Sequence, residues 1–363
     1  MTSKDSMAAT STSSQREDWQ RGRRQHTLYA VLGRYSLVIV LALLAMGFSL
    51  ARPESFFTIN NFQGIFINQV VVVFAAIGLI GPLIVGELDL SVGYVVGLSQ
   101  ALVVGLMTLQ GLPPPLAIAF TIVACAVIGL INGALVVKIG LNSLIVTLAT
   151  GNVIYGLVLW YTAGTILFQG VPQEFLKISS GSLLYVPLPI WYAVLLVVIV
   201  ELVLGYFPAG RRMYAVGGNR RAALLTGIAV DWTVIAAFTA SGIICGLGGI
   251  IIASRLASAQ PELGPSFLLP AFASAFLGAT TIRPGRYNAI GTVVAVYVIA
   301  VIVAGLQQIG VPFWAEHVVY GVALAGGVAL STHLTRMREE RARRDQLRAF
   351  EESREMTPEI SRL

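Results

Sequence analysis

The amino-acid sequence predicts an all-α integral membrane protein of about ten transmembrane helices, some short or broken, with both termini cytoplasmic. Three observations carry this. Hydrophobic residues make up 56% of the 363 residues and charged residues only 12%, against roughly 25% charged in an average soluble domain. The charges also gather at the ends: residues 1–29 hold 8 of the 42 charged side chains and residues 334–363 hold 15. The stretch between has too little polar surface for water and must be solvated by lipid. Finally, apolar runs of the length that crosses a bilayer, about 20 residues, recur along that stretch.

The candidate spans follow in order. The first covers residues 33–50. The second, 65–85, ends at a Gly/Glu/Asp cluster. The third and fourth are 90–109 and 115–137, the fifth 143–163 and the sixth 186–207. The seventh is 232–253. The eighth, 267–282, is short. The ninth is 287–306 and the tenth 313–333. The splits between the second and third, and between the eighth and ninth, rest on connections of only a few residues. Positive charge tests the count, because cytoplasmic loops retain Lys and Arg. With the N-terminus inside, 21 of the 24 basic residues fall on the cytoplasmic side and only Arg52, Lys177 and Arg255 fall outside. An even number of spans places the four-arginine segment Arg211, Arg212, Arg220 and Arg221 inside.

The chain thus divides into a polar cytoplasmic N-terminal tail (1–29), a transmembrane domain (30–333) and a charged cytoplasmic C-terminal tail (334–363). Residues 1–15 are rich in Ser, Thr and Ala, a composition that favours disorder. Residues 334–363 mix Arg and Glu at helical spacing and read as a solvated helix or a frayed tail. The net charge of +6 comes mostly from these ends and a few short loops, so it is not a nucleic-acid signal.

Several chemistries are excluded. Cys125 and Cys245 lie inside apolar runs, which argues against a disulfide framework. His26, His317 and His333 are far apart, and no Cys/His cluster has metal-ligand spacing. The first 29 residues lack the apolar segment of a signal peptide. No lysine follows a glycine, so there is no phosphate-binding loop of the Gly-x-x-x-x-Gly-Lys type. Paired acids or a nucleophile–base pair, which a membrane enzyme needs, are not evident.

Two segments carry chemistry. Gly81 and Pro82 precede Gly86-Glu87-Leu88-Asp89-Leu90-Ser91-Val92-Gly93. Acids beside an apolar run are costly in lipid, roughly 2.5–3.5 kcal/mol each near a helix centre. Glycines beside them point to a break whose backbone is satisfied by protein or water. Asp89 can cap the third span, and Gly86, Glu87, Asp89, Ser91 and Gly93 can line a cavity or a moving gate; the two roles are compatible. The second segment is the long cytoplasmic connection 208–232. A turn at Gly217-Gly218-Asn219 precedes a short helix with Asn219 as a good N-cap. Arg220, Arg221, Ala222, Ala223, Leu224 and Leu225 would give it a small, apolar and basic surface. That surface suits a groove of another protein or an anionic lipid surface equally.

Isolated polar residues add weaker leads. Asn68, Asn142, Thr147, Thr150 and Asn152 can line a pathway for a hydroxylated solute, or serve packing and capping as such residues do in membranes. Glu201, near the cytoplasmic end of the sixth span, can snorkel, pair or be protonated. Glu316 and His317 are expected at the membrane interface.

The motifs together resemble the permease subunit of bacterial ABC importers of the ribose/xylose/galactoside class, related to branched-chain amino-acid permeases. Residues 86–93 match that family's Gly-Gly-Ile-Asp-Leu-Ser-Val-Gly, with Glu87 in place of its second glycine. Asn132-Gly133 and residues 143–150 are similar to its Asn-Gly and Pro-Phe-Ile-Val-Thr-Leu-Gly-Thr. Residues 214–228 resemble its Tyr-Ala-Ile-Gly-Gly-Asn…Ala-Ala…Gly-Ile loop. Leu277-Gly278-Ala279-Thr280, Gly285 and Gly291-Thr292 correspond to its glycine-rich region, with residues 283–288 a variant. The resemblance covers roughly residues 30–333. It implies a multi-pass protein of the bacterial inner membrane in which two permease copies form the pathway. Separate ATPase subunits would dock around Tyr214, Gly217, Gly218, Asn219, Ala222, Ala223 and Gly227. A periplasmic binding protein would deliver the solute, with the outer connection 164–186 long enough to help receive it. ATP and Mg would sit on the ATPase, with no cofactor on this chain. The implied cargo is a monosaccharide or related polyol. An amino-acid or nucleoside permease of the same superfamily and a self-contained secondary transporter are the alternatives.

Overall fold

A computed structural model describes residues 34–355. The N-terminal tail, the first residue of the first candidate span, and residues 356–363 lie outside the described residues. The fold is all-α apart from one two-stranded hairpin and an isolated bridge between Leu167 and Ala259. In chain order the elements are α1 (Ser36–Ala51), α2 (Ile59–Asn68), α3 (Val70–Ile84), α4 (Val92–Thr108), α5 (Pro114–Lys138), α6 (Ser143–Tyr161) and α7 (Gln173–Ser180). The hairpin strands β1 (Ser182–Leu183) and β2 (Val186–Pro187) follow, then α8 (Leu188–Tyr206), α9 (Pro208–Gly218), α10 (Arg220–Leu225) and α11 (Val230–Leu256). The last elements are α12 (Leu263–Ser266), α13 (Leu268–Gly278), α14 (Ala289–Gln308) and α15 (Trp314–Glu355).

Each of the ten apolar segments contains helix, yet they are not equivalent. Among the described residues, seven stretches are long and apolar enough to cross a membrane, counting α2–α3 as one and α15 as far as Met337. Three apolar helices are shorter: α1, α4 and the pair α12–α13. The 17 residues of α4 rise about 25 Å, less than the ~30 Å hydrocarbon core. It is short because residues 86–91 are spent on a non-helical connection. Phe267 interrupts α12–α13, with Pro265 and Pro270 on either side.

Local chemistry sets several boundaries. Thr58 accepts from the Asn61 amide at 3.2 Å and starts α2, six residues before the apolar run from which the second span is read. Prolines open α5, α8 and α9, where a missing N–H costs nothing. Asn142, Asn219 and Asn288 cap α6, α10 and α14 through backbone amides at 2.9, 3.0 and 2.7 Å. The backbone of α15 stays helical through Glu355.

The packing centre is α11. It lies against α5, α3 and α4, and α3 and α11 are mostly buried while little of α8 or of the span of α15 is fully buried. Small residues permit this, since lipid gives no hydrophobic drive between helices and close backbone contact must substitute. A Cβ at Gly129 or Gly242 would overlap the backbone of the opposing helix, Phe238 on α11 or Cys125 on α5. Cys125 and Cys245 are free and buried in this core.

Candidate functional site

The site grows from the C-terminus of α3. Pro82 stands in its last turn. Gly86, at φ +84°, reverses the chain, so its amide reaches Leu83 O at 3.2 Å and the Glu87 amide reaches Pro82 O at 2.9 Å. This is the paired helix-ending pattern that a left-handed glycine permits. The next residues have no helix of their own and borrow partners from α6. Leu88 N donates to Ser143 Oγ at 3.1 Å and Leu90 N donates to Thr147 Oγ1 at 2.9 Å. The Thr147 hydroxyl proton lies within reach of Ser143 O at 2.7 Å and Leu88 O at 3.3 Å.

Asp89 is buried. Its Oδ1 accepts from Ser91 N at 3.0 Å and Ser91 Oγ at 2.5 Å, and its Oδ2 accepts from Ser241 Oγ on α11 at 2.9 Å. Asn132 Nδ2 on α5 donates to Ser91 Oγ at 3.0 Å. Asp89 therefore accepts the amide of Ser91, the N-cap residue of α4, and not one of the free amides inside the helix that a cap would take. It also braces α11, which no capping argument anticipates. Among the described residues it makes no ion pair. Gly93 sits where a Cβ would crowd Gly264 O at 2.9 Å, which brings α4 against α12.

The segment 208–232 abuts this connection. Residues 208–218 form a helix, so the turn predicted at 217–219 shrinks to Asn219 alone. A Cβ at Gly217 would overlap the Ile84 carbonyl oxygen. Glu87 forms an ion pair with Arg220, the acid largely buried and the base half-exposed. Ala223 packs inward on Val85, Val216, Val234 and Phe238. This differs from the surface predicted for both alanines: Ala222, Leu224 and Leu225 face outward and Ala223 does not. Gly218 has open space around it and Gly227, at φ +81°, ends α10. Tyr214 Oη donates to Tyr287 O at 2.6 Å. Burial raises its phenol above the ordinary range, and the Arg283 guanidinium opposes that rise. Arg283 in turn pairs with Glu201 at 2.8 Å.

The five pathway candidates do not share one place. Thr147 is buried in the 86–91 network, and Asn142 serves as a cap. Asn152 is exposed and bonds Leu148 O of its own helix at 2.9 Å. Thr150 is half-buried on the same helix. Asn68 lines a cavity, together with Gln69, Gln307 and Glu316. Ser241, Asn132 and Ser143 join the site without being among the candidate site residues. Asn132 and Ser143 lie in the motifs that carry the family resemblance, whereas Ser241 is a lone hydroxyl in an apolar run, a signal that many packing residues share.

Comparison with known proteins decides the family. Residues 61–326 match the family described as branched-chain amino acid transport system / permease component. The chain belongs to this permease family. The permease is 37% identical over 300 residues to the ribose import permease protein RbsC of Bacillus subtilis, covering 82% of this chain and 90% of that one. It is 31% identical over 298 residues to the D-allose transport system permease protein AlsC of Escherichia coli K12, covering 82% and 91%. To the autoinducer 2 import system permease protein LsrD of Escherichia coli O9:H4 it is 32% identical over 267 residues, covering 71% and 81%. No solved structure matches significantly. The protein is thus a multi-pass permease of the inner membrane, a transport subunit.

Proposed function

We propose that the permease forms the translocation pathway of an ATP-driven, binding-protein-dependent importer for a monosaccharide or related polyol, working by alternating access as a pair of copies. The observation that carries this reading is the joint between two segments: Gly217 seated on Ile84, and Arg220 paired with Glu87. A push on α9–α10 passes directly into the connection that holds Asp89. The outward-facing Ala222, Leu224 and Leu225 of α10 are the surface offered to an ATPase groove. ATP and Mg are bound by that partner, while a periplasmic binding protein presents the solute at the opposite face. Ribose and allose are the first cargoes to test, after the relatives' names. The basic-residue asymmetry supports ten crossings with both termini and α9–α10 cytoplasmic.

The test is reconstitution of the permease with its ATPase in liposomes of known orientation. Labelled D-ribose or D-allose should enter only when ATP is on the α9–α10 side and binding protein on the other. Uptake driven by a proton or sodium gradient without ATP would overturn the reading in favour of a secondary transporter.

A further inference from the structure

The end of α3 remote from Gly86 borders a second polar feature. Four chain interruptions meet there: the α2–α3 junction at Gln69, the α12–α13 junction at Phe267, the last turn of α14 and the first turns of α15. They line an open cavity of about 330 Å³. Irregular backbone among membrane helices persists where it is buried in protein or lines a polar cavity. Broken helices of this kind are common places for transported solutes.

The lining chemistry is specific. Asn68, Gln69, Gln307, Glu316 and Tyr320 supply three carboxamides, a carboxylate and a phenol, and Phe267 supplies an apolar wall. The Glu316 carboxylate is oriented by Tyr320 Oη at 3.1 Å and Gln307 Nε2 at 3.5 Å. Those two bonds leave acceptor positions free on a group with about four. Arg255, outside the lining, occupies Asn68 Oδ1 and donates to Ile67 O at 3.0 Å. The Asn68 amide nitrogen thereby stays a donor. Acceptors at Glu316 and donors at Asn68 suit hydroxyl groups, each of which both gives and takes a hydrogen bond. An anion is disfavoured by Glu316. An amino-acid zwitterion would need a cation for its carboxylate, and no Lys or Arg lines the cavity. The volume lies at the small end of ligand pockets, roughly 300–1,000 Å³, which fits one sugar ring.

We infer that this cavity binds a neutral polyhydroxyl solute of monosaccharide size, held between Glu316 and Asn68 on the side of the molecule away from α9–α10. The inference rests on the importer reading and places the cargo within it. The experiment uses the assembled permease–ATPase complex in nanodiscs, with labelled D-ribose and D-allose at millimolar concentration, and the reconstituted uptake assay. Saturable binding is expected for the unaltered protein. Glu316→Gln and Asn68→Ala should each weaken binding about tenfold or more, the size expected when a hydrogen bond to a charged or well-oriented polar group is lost. ATPase copurification should stay normal, and Gln307→Ala replaces any variant that fails to assemble. If the unaltered complex transports either sugar while the assembled variants bind and transport normally, the cavity inference is wrong and the importer reading stands. Transport without saturable binding to the unaltered complex overturns it equally. If no monosaccharide is bound or transported at all, the sugar reading fails and the cavity inference with it.

Discussion

The two ends of α3 contrast sharply. At its C-terminus most polar groups are bonded to one another: Asp89 takes three donors, Ser143 and Thr147 serve stray amides, and Glu87 holds Arg220, while Asn132 Oδ1 stays buried without a partner among the described residues. At its N-terminus polar groups line an open volume with donors and acceptors to spare. Both regions break helices among apolar spans, where each unsatisfied polar group is costly. A break whose bonds close largely within the protein holds shape and transmits force. A break whose groups stay open is built to receive something. The 15-residue α3 between them spans about 22 Å and is buried over nearly its whole length, so it can relay displacement as a rod.

Substitutions at three places at the closed end would break or sharpen this contrast. The largest effect is expected from Gly217→Val. Its side chain must enter the space of the Ile84 carbonyl, and backbone gives way less readily than a side-chain tip. Overpacking of this kind costs about 1–3 kcal/mol or more. Uptake per assembled transporter should collapse, with a lower melting temperature in detergent. Normal uptake would show that α9 and α3 do not move as one body.

Asp89 comes next. Asp89→Ala strands the Ser91 amide and the Ser91 and Ser241 hydroxyls in a buried site. The expected cost is about 1–3 kcal/mol for an unsatisfied group, with folding and uptake falling together. Asp89→Asn keeps an acceptor toward Ser91, and the Ser241 hydroxyl can turn to accept from the new amide, so it should be mild in both measurements. An Asn variant that assembles fully yet transports nothing would show that the charge itself acts in the gate.

The smallest stability effect belongs to Glu87 and Arg220. Arg220 is half-exposed, and water screens such a pair to about 0.2–1 kcal/mol. Either single reversal, Glu87→Arg or Arg220→Glu, sets like charges together beside a largely buried position, so it should lower the melting temperature modestly and also lower the sugar moved per ATP hydrolysed. The double exchange should restore part of that ratio. Equal ratios in all four proteins would remove the ion pair from the coupling route.

Much of this was legible in the chain. The segments read as spans at 115–137 and 143–163 fall within two residues of α5 and α6 at each end, because long apolar runs bounded by proline or asparagine leave little choice. The connection 208–218 was harder. Its composition is polar and glycine-rich, yet Pro208 opens a helix and packing on α3 holds it. Ala222 and Ala223 look alike in sequence, and the rotation of a six-residue helix turned one outward and one inward. Glu87 stood out as the departure from the family pattern, but its partner lies 133 residues away. The cavity that Glu316 shares with Asn68 was not legible, because position along a span says nothing about what lies across from it.

By itself the sequence determined that the protein lives in lipid, that its elements are helices, roughly where they run, and which permease family it resembles. Those properties depend on hydrophobicity and capping, which act over a few residues. Tertiary structure alone decided which lone polar residues meet. Asp89 finds Ser241 152 residues later, and Asn68 shares a cavity with Glu316. A single hydroxyl or carboxamide in an apolar run has no local pattern that names its partner. The choice is made when glycine-lined helices close on one another and leave only certain polar groups facing.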